Sequence, residues 1–208
     1  MIPGEILFLV ATAIFSATGV LATSRHSMDV LSLVIVGVVT AIGGGTIRDL
    51  LLDVPVFWLR APEYLYVAAA AAAAAFFLER WIRETERLLL YLDGIAMAMF
   101  AALALNRVLA MGFSPGVATV MGILTGVGGG VIRDVVTDGQ TILLRRELYI
   151  TPILVGASVF YALRALTPLS PGTCTAVMMA LTAGLRLGSL RFGWGFPDWL
   201  VHDRPSRD

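Results

Sequence analysis

Two stretches of the chain place an arginine and an aspartate at one spacing after three glycines: Gly43, Gly44 and Gly45 before Arg48 and Asp49, and Gly128, Gly129 and Gly130 before Arg133 and Asp134. Both lie in apolar surroundings, and a further acidic residue, Asp93, begins another apolar run. Ionisable groups in such a setting cost ~2.5 to 3.5 kcal/mol on insertion scales, so they are expected to face the protein interior, a cavity or one another. Two uses fit. In the first the charges are structural ion pairs that lock two parts of the chain together, Arg48 with Asp134 and Arg133 with Asp49. In the second they line a pathway, with carboxylates attracting cations and arginines limiting how many enter.

Each glycine costs about 0.8 to 1 kcal/mol relative to alanine in a helix interior, so a triplet predicts a break or kink. In hydrocarbon the freed backbone groups are tolerated only where they are buried in protein or line a water-filled cavity. Close helix packing is the plainer use of glycine. Recurrence of the whole motif, charges included, favours the pathway. Ser16, Thr18, Thr40 and Thr125 could offer hydroxyl oxygens to a passing ion, although Ser and Thr in membrane helices more often bond to backbone or to a neighbouring helix. His26 and His202 lie outside the apolar runs. No HExxH, nucleophile elbow, phosphate-binding loop or Cys-rich metal pattern occurs, so no enzyme, metal or cofactor is expected.

The elements that must position these residues follow from composition. Of 208 residues, 58% are hydrophobic and 14% charged, against the roughly 25% charged residues of soluble domains. Uncharged runs cover residues 6–24, 30–47, 64–78, 94–106, 108–132, 148–163 and 165–185. A spanning helix needs about 20 residues, range ~17 to 25. The third run reaches that length with Trp81 and Ile82 if Arg80 snorkels, and the fourth with Leu88 to Leu92 if Asp93 is tolerated inside the bundle. Seven spans result. The leader MIPGE carries Glu5 and no basic residue, so the first span is expected to be retained rather than cleaved. Cys174 is the single cysteine, and net charge is zero, so neither an internal disulfide nor bulk attraction to nucleic acid is indicated. Trp58, Tyr64, Tyr66, Trp81, Trp194 and Trp199 sit near run ends, as an aromatic belt would. The alanine run 68–75 offers a smooth surface for another helix or subunit.

Residues 38–64 align without gaps on residues 123–149, with eleven of 27 positions identical. The offset spans three helices, so the second copy enters the membrane from the opposite face. The expected fold is an all-α integral membrane protein of seven transmembrane helices: repeat 1 at residues 1–84, an inverted repeat 2 at 85–166, a seventh helix at 167–191 packed around them, and a tail at 192–208. Every basic residue is arginine. Arg60, Arg107 and Arg164 fall on the side of the N-terminus. Arg25, Arg80, Arg83, Arg87, Arg145, Arg146, Arg191, Arg204 and Arg207 fall on the other, which predicts an outside N-terminus and a cytoplasmic C-terminus.

At GGGTIRDLLL (43–52), PVFWL (55–59) and GGGVIRDVV (128–136) the sequence resembles the bacterial trimeric intracellular cation channels, a family with a glycine-transporter-like domain pair. The likeness runs across helices one to six. It implies a homotrimer in a bacterial inner membrane, each protomer with its own pore for potassium and sodium, and kinked second and fifth helices beside that pore. Its implied partners are other copies of the chain, monovalent cations and membrane lipids. Animal members carry a Lys-Glu-Val motif and regulatory lysines; this chain has no lysine. An acidic residue matching Asp93 is missing from the first half unless Glu5 takes its place. A channel is the leading expectation, and a secondary carrier of a small zwitterion such as glycine, using the same halves by alternating access, is the alternative. A non-transporting scaffold is disfavoured by the duplicated charges.

Overall fold

Apolar runs bounded by charges and turn residues fold as helices, because a span in hydrocarbon must satisfy its backbone within itself. The computed structural model describes residues 3–23, 28–79, 81, 85–139, 142 and 147–197. Among them are eight helices: α1 (Pro3–Ala22), α2 (Val30–Leu51), α3 (Phe57–Arg60), α4 (Glu63–Glu79), α5 (Thr85–Ala110), α6 (Pro115–Val136), α7 (Thr151–Leu166) and α8 (Pro171–Phe192). Gly4–Ala22, α2, α5, α6 and α8 are long and apolar enough to cross a membrane, and α7 is a shorter apolar helix. The chain is an all-helical membrane protein.

Start signals are explicit. The Asp29 carboxylate accepts from the Ser32 amide at α2. Ser114 and Ser170 cap α6 and α8 in the same way, each followed by a proline in the first turn. The Ser170–Pro171 start sets the last helix at Pro171–Phe192, close to the expected 167–191 and beyond the end of the uncharged run 165–185. The four-residue α3 was not anticipated. Arg25, His26, Arg80, Ile82, Arg83, Arg145, Arg146 and residues 198–208, with Trp199, His202, Arg204 and Arg207, lie outside the described residues.

Of the break or kink expected at the glycine triplets, the break does not form: α2 and α6 run as continuous helices through Gly43–Gly45 and Gly128–Gly130. The triplets instead allow the two helices to touch. A Cβ on Gly44 would land on the Thr125 carbonyl oxygen, and one on Gly129 on the Thr40 carbonyl oxygen. Helix hydrogen bonds are kept, and the missing side chains bring two backbones together.

In the first half, α4 packs on both α1 and α2. Its alanine run supplies the face, with Ala68 and Ala72 buried, and a Cβ on Gly37 of α2 would sit 2.8 Å from the Ala72 Cβ. Phe8, Phe15, Phe57 and Phe100 form the core there. In the second half α7 touches α5 and α6 only marginally, and α8 packs against both α5 and α7. The last helix is thus built into the second half rather than packed around two equal ones. Met97, Leu105, Ile153, Phe160, Cys174 and Met178 share that core.

Candidate functional site: buried charges beside a helix crossing

Arg48, Asp49, Asp93, Arg133 and Asp134 are all buried, none more than 5% exposed. The expected pairings across the two copies do not occur. Arg48 Nε donates to Asp49 Oδ1 at 2.8 Å, and Arg133 Nε donates to Asp134 Oδ1 at 2.8 Å. Each aspartate's second oxygen accepts an amide eight residues on, from Phe57 at 2.9 Å and from Ile142 at 2.8 Å. One carboxylate therefore holds both its neighbouring arginine and the segment after its helix. Asp53 and Asp138, at matched positions just beyond, share a left-handed backbone with φ of 52° and 48°.

The copies then diverge. Arg133 Nη1 donates to Asp93 Oδ1 of α5 at 2.9 Å and to Thr18 Oγ1 of α1 at 3.0 Å. Tyr149 donates its hydroxyl to Asp93 Oδ2 at 3.1 Å. Gly130 leaves room for this cluster, since a Cβ there would lie 3.1 Å from both Asp93 Oδ1 and the Tyr149 hydroxyl oxygen. In the first copy the residue matching Asp93 is Phe8, and Tyr64, matching Tyr149, packs edge-on against it at 5.2 Å. Arg48 Nη1 has no hydrogen-bond partner among the described residues, and its guanidinium lies 5.8 Å from the Phe57 ring centre. Glu5 lines a cavity of about 500 Å³ with Glu63, Arg60 and Arg107, and Phe57 and Tyr64 also line it.

The candidate hydroxyls serve the backbone. Ser16 donates to the Ala68 carbonyl, Thr40 to Val36 and Thr125 to Met121, each at 2.7 Å. Thr18 alone among the four singled out also accepts from a charged group. Sequence reasoning missed Tyr149 and Arg186. The Tyr64/Tyr149 identity in the repeat was a usable signal for the first. Arg186 stands at the end of the last uncharged run, where an arginine reads as a boundary, yet it is fully buried.

Fold and site together define an all-helical membrane protein with two copies of one charged, glycine-rich motif at a helix crossing. The glycine transporter family profile matches residues 5–80 and 90–165, and the chain belongs to that family, to which the bacterial trimeric intracellular cation channels also belong. It is similar to the trimeric intracellular cation channel orthologue of Rhodobacter sphaeroides, with 35% identity and a TM-score of 0.88 over 93% of this chain and 100% of that one. A structure described as a basis for conductance through TRIC cation channels matches at 28% identity and a TM-score of 0.81, covering 98% and 100%. The inner membrane protein YadS of Escherichia coli strain K12 is 36% identical over 203 residues, 95% of this chain and 96% of that one.

Proposed function

We propose that this chain is a cation channel of a bacterial inner membrane, passing potassium and sodium through each protomer of a homotrimer along a path beside the α2–α6 crossing. The observation that carries this reading is the pairing at the second motif, where Arg133 alone meets both Asp93 and Asp134 while Arg48 has Asp49 to itself. With these groups ionised, two carboxylates share one guanidinium, and Arg186, the third buried arginine, turns to Tyr149 and Glu147 instead. An excess interior carboxylate is unfavourable without a counter-charge, and a mobile monovalent cation would supply one. Similarity to solved cation channels over nearly the whole chain supports the same function.

In this reading the halves are inverted and seven helices span. Support comes from the reciprocal crossing, Gly44 on Thr125 and Gly129 on Thr40, which is what a two-fold axis between α2 and α6 would produce. With 17 and 16 residues, α4 and α7 reach about 25 Å at 1.5 Å per residue, close to the hydrocarbon thickness. The arginine distribution puts the N-terminus outside and the C-terminus in the cytoplasm. The cavity beside Glu5 and Glu63 then opens outside as the mouth, and Phe57 separates it from Arg48. Backbone contact at the glycines closes the crossing, so conduction requires α2 and α6 to part, with the triplets as the weakest points of each helix. Lipid is expected around the trimer.

The family's description and the two carboxylates and two guanidiniums in that cavity favour a second reading, a carrier of a small zwitterion such as glycine. Reconstitution of the purified chain in planar bilayers separates the two. Unitary potassium current steps are expected; smooth, saturable glycine uptake into liposomes without current steps would instead establish the carrier.

A further inference from the structure

Arg186 lies on α8, outside both motif copies, yet it reaches the residues around Asp93. Its Nη1 donates to the Leu148 carbonyl at 3.0 Å, and its guanidinium carbon lies 4.9 Å from the centre of the Tyr149 ring. Its stem crosses Gly94, the residue after Asp93, where a Cβ would come within 2.8 Å of Arg186 Cγ. Tyr149 passes the contact on, since its hydroxyl donates to Asp93 Oδ2.

The turn after α8 holds the same segment from the other side. Gly193, at φ 67°, reverses the chain, and the Trp194 carbonyl accepts from the Leu148 amide at 3.3 Å and from the Ser189 hydroxyl at 2.7 Å. Glu147 and Gly195 form an antiparallel bridge, and Gly188 makes room for the indole, with a Cβ there only 2.7 Å from its Cζ3. Tyr64 in the first half packs in an aromatic cluster with Phe8 and Phe57 instead.

We propose that Arg186 is a positioning residue for the ion pathway: together with the Trp194 turn it fixes Tyr149 so that the tyrosine hydroxyl occupies Asp93 Oδ2 and leaves Oδ1 to Arg133. The proposal rests on the reading of Asp93 as a pathway charge. Its consequence is that the last helix, absent from the repeat, sets how strongly Asp93 can hold a passing cation.

The test uses full-length protein labelled with 3-fluorotyrosine at its five tyrosines, with the Tyr149 fluorine resonance assigned by its loss in Tyr149→Phe. Arg186→Lys keeps the charge and loses the flat face that stacks on the ring. Trp194→Ala loosens the turn at a half-exposed residue and serves if Arg186→Lys does not fold. Each is expected to shift the Tyr149 resonance and to change unitary conductance. In the Tyr149→Phe background, where the ring remains and only the hydroxyl is gone, neither should change conductance further. An unmoved resonance, or a conductance change of equal size with and without the hydroxyl, overturns the proposal. A parent that folds but passes no unitary current refutes the channel reading and with it the pathway role of Arg186, while a shifted resonance in that protein would still locate the failure in the function rather than in the contact.

Discussion

A Cβ on Gly44 of α2 would lie 3.2 Å from the amide nitrogen of Gly129 on α6, so these two glycines mark a place where two apolar helices meet backbone to backbone. The contact accounts for the glycines without any helix break. It also brings both motif copies to one level of the bundle.

Alanine at either position forces the helices apart, because the nearest atom in each case is a backbone carbonyl oxygen of the facing helix, which cannot rotate away. Gly44→Ala and Gly129→Ala are each expected to lose about 1 to 3 kcal/mol of stability through overpacking. Gly184→Ala on α8, where a Cβ meets nothing within 4 Å, should be neutral or gain about 0.4 to 1 kcal/mol. Thermal unfolding in detergent measures all three; a Gly44→Ala protein as stable as the parent would remove the close crossing.

Asp93→Asn keeps the shape of the side chain and removes the excess negative charge. Arg133 retains Asp134, so the protein is expected to fold with a loss of about 1 to 3 kcal/mol, the usual range for an impaired buried polar contact. Cation preference should fall. The reversal potential in a potassium chloride gradient reports it, and an unchanged value would place Asp93 off the ion path.

Legibility in the sequence followed the physics of each signal. A charge in an apolar run is too costly to face lipid, so the burial of Arg48, Asp49, Arg133 and Asp134 could be read from position alone. Their partners could not. Adjacent residues on a helix point in different directions, so neighbours are not expected to pair, yet a long arginine side chain folds back onto the next aspartate in both copies. The glycine break was expected from propensity, which a backbone contact between helices overrides. Reading spans between charges also ends a run at any arginine, and Arg186, which turns inward, was lost that way.

Asp53 and Asp138 both adopt left-handed backbone, which costs L-residues roughly 1 to 2 kcal/mol, least for Asp and Asn. Asp53→Val is expected to destabilise by about that amount, and Asp53→Gly to leave the melting temperature unchanged or raised. A valine variant as stable as the glycine variant would show that this turn does not need the left-handed conformation.

The orientation can be checked chemically. Cys174 is buried, so the parent should give no background with a membrane-impermeant thiol reagent applied to intact cells. Arg60→Cys is expected to react and Arg83→Cys not. The opposite pattern would turn the protein over in the membrane.

Phe8 stands where its counterpart half has Asp93, and this difference has an electrical side. A conduction path past two identical halves would read the same from either end. Here one half offers a carboxylate and the other an aromatic ring, so an ion approaching from one face meets its barrier and its well in a different order from an ion approaching from the other. The channel should therefore rectify: in symmetric potassium chloride, with all molecules inserted in one direction, current at equal and opposite voltages should differ. A straight, symmetric current–voltage line would mean that ions do not sense the Asp93–Arg133 cluster on their way through.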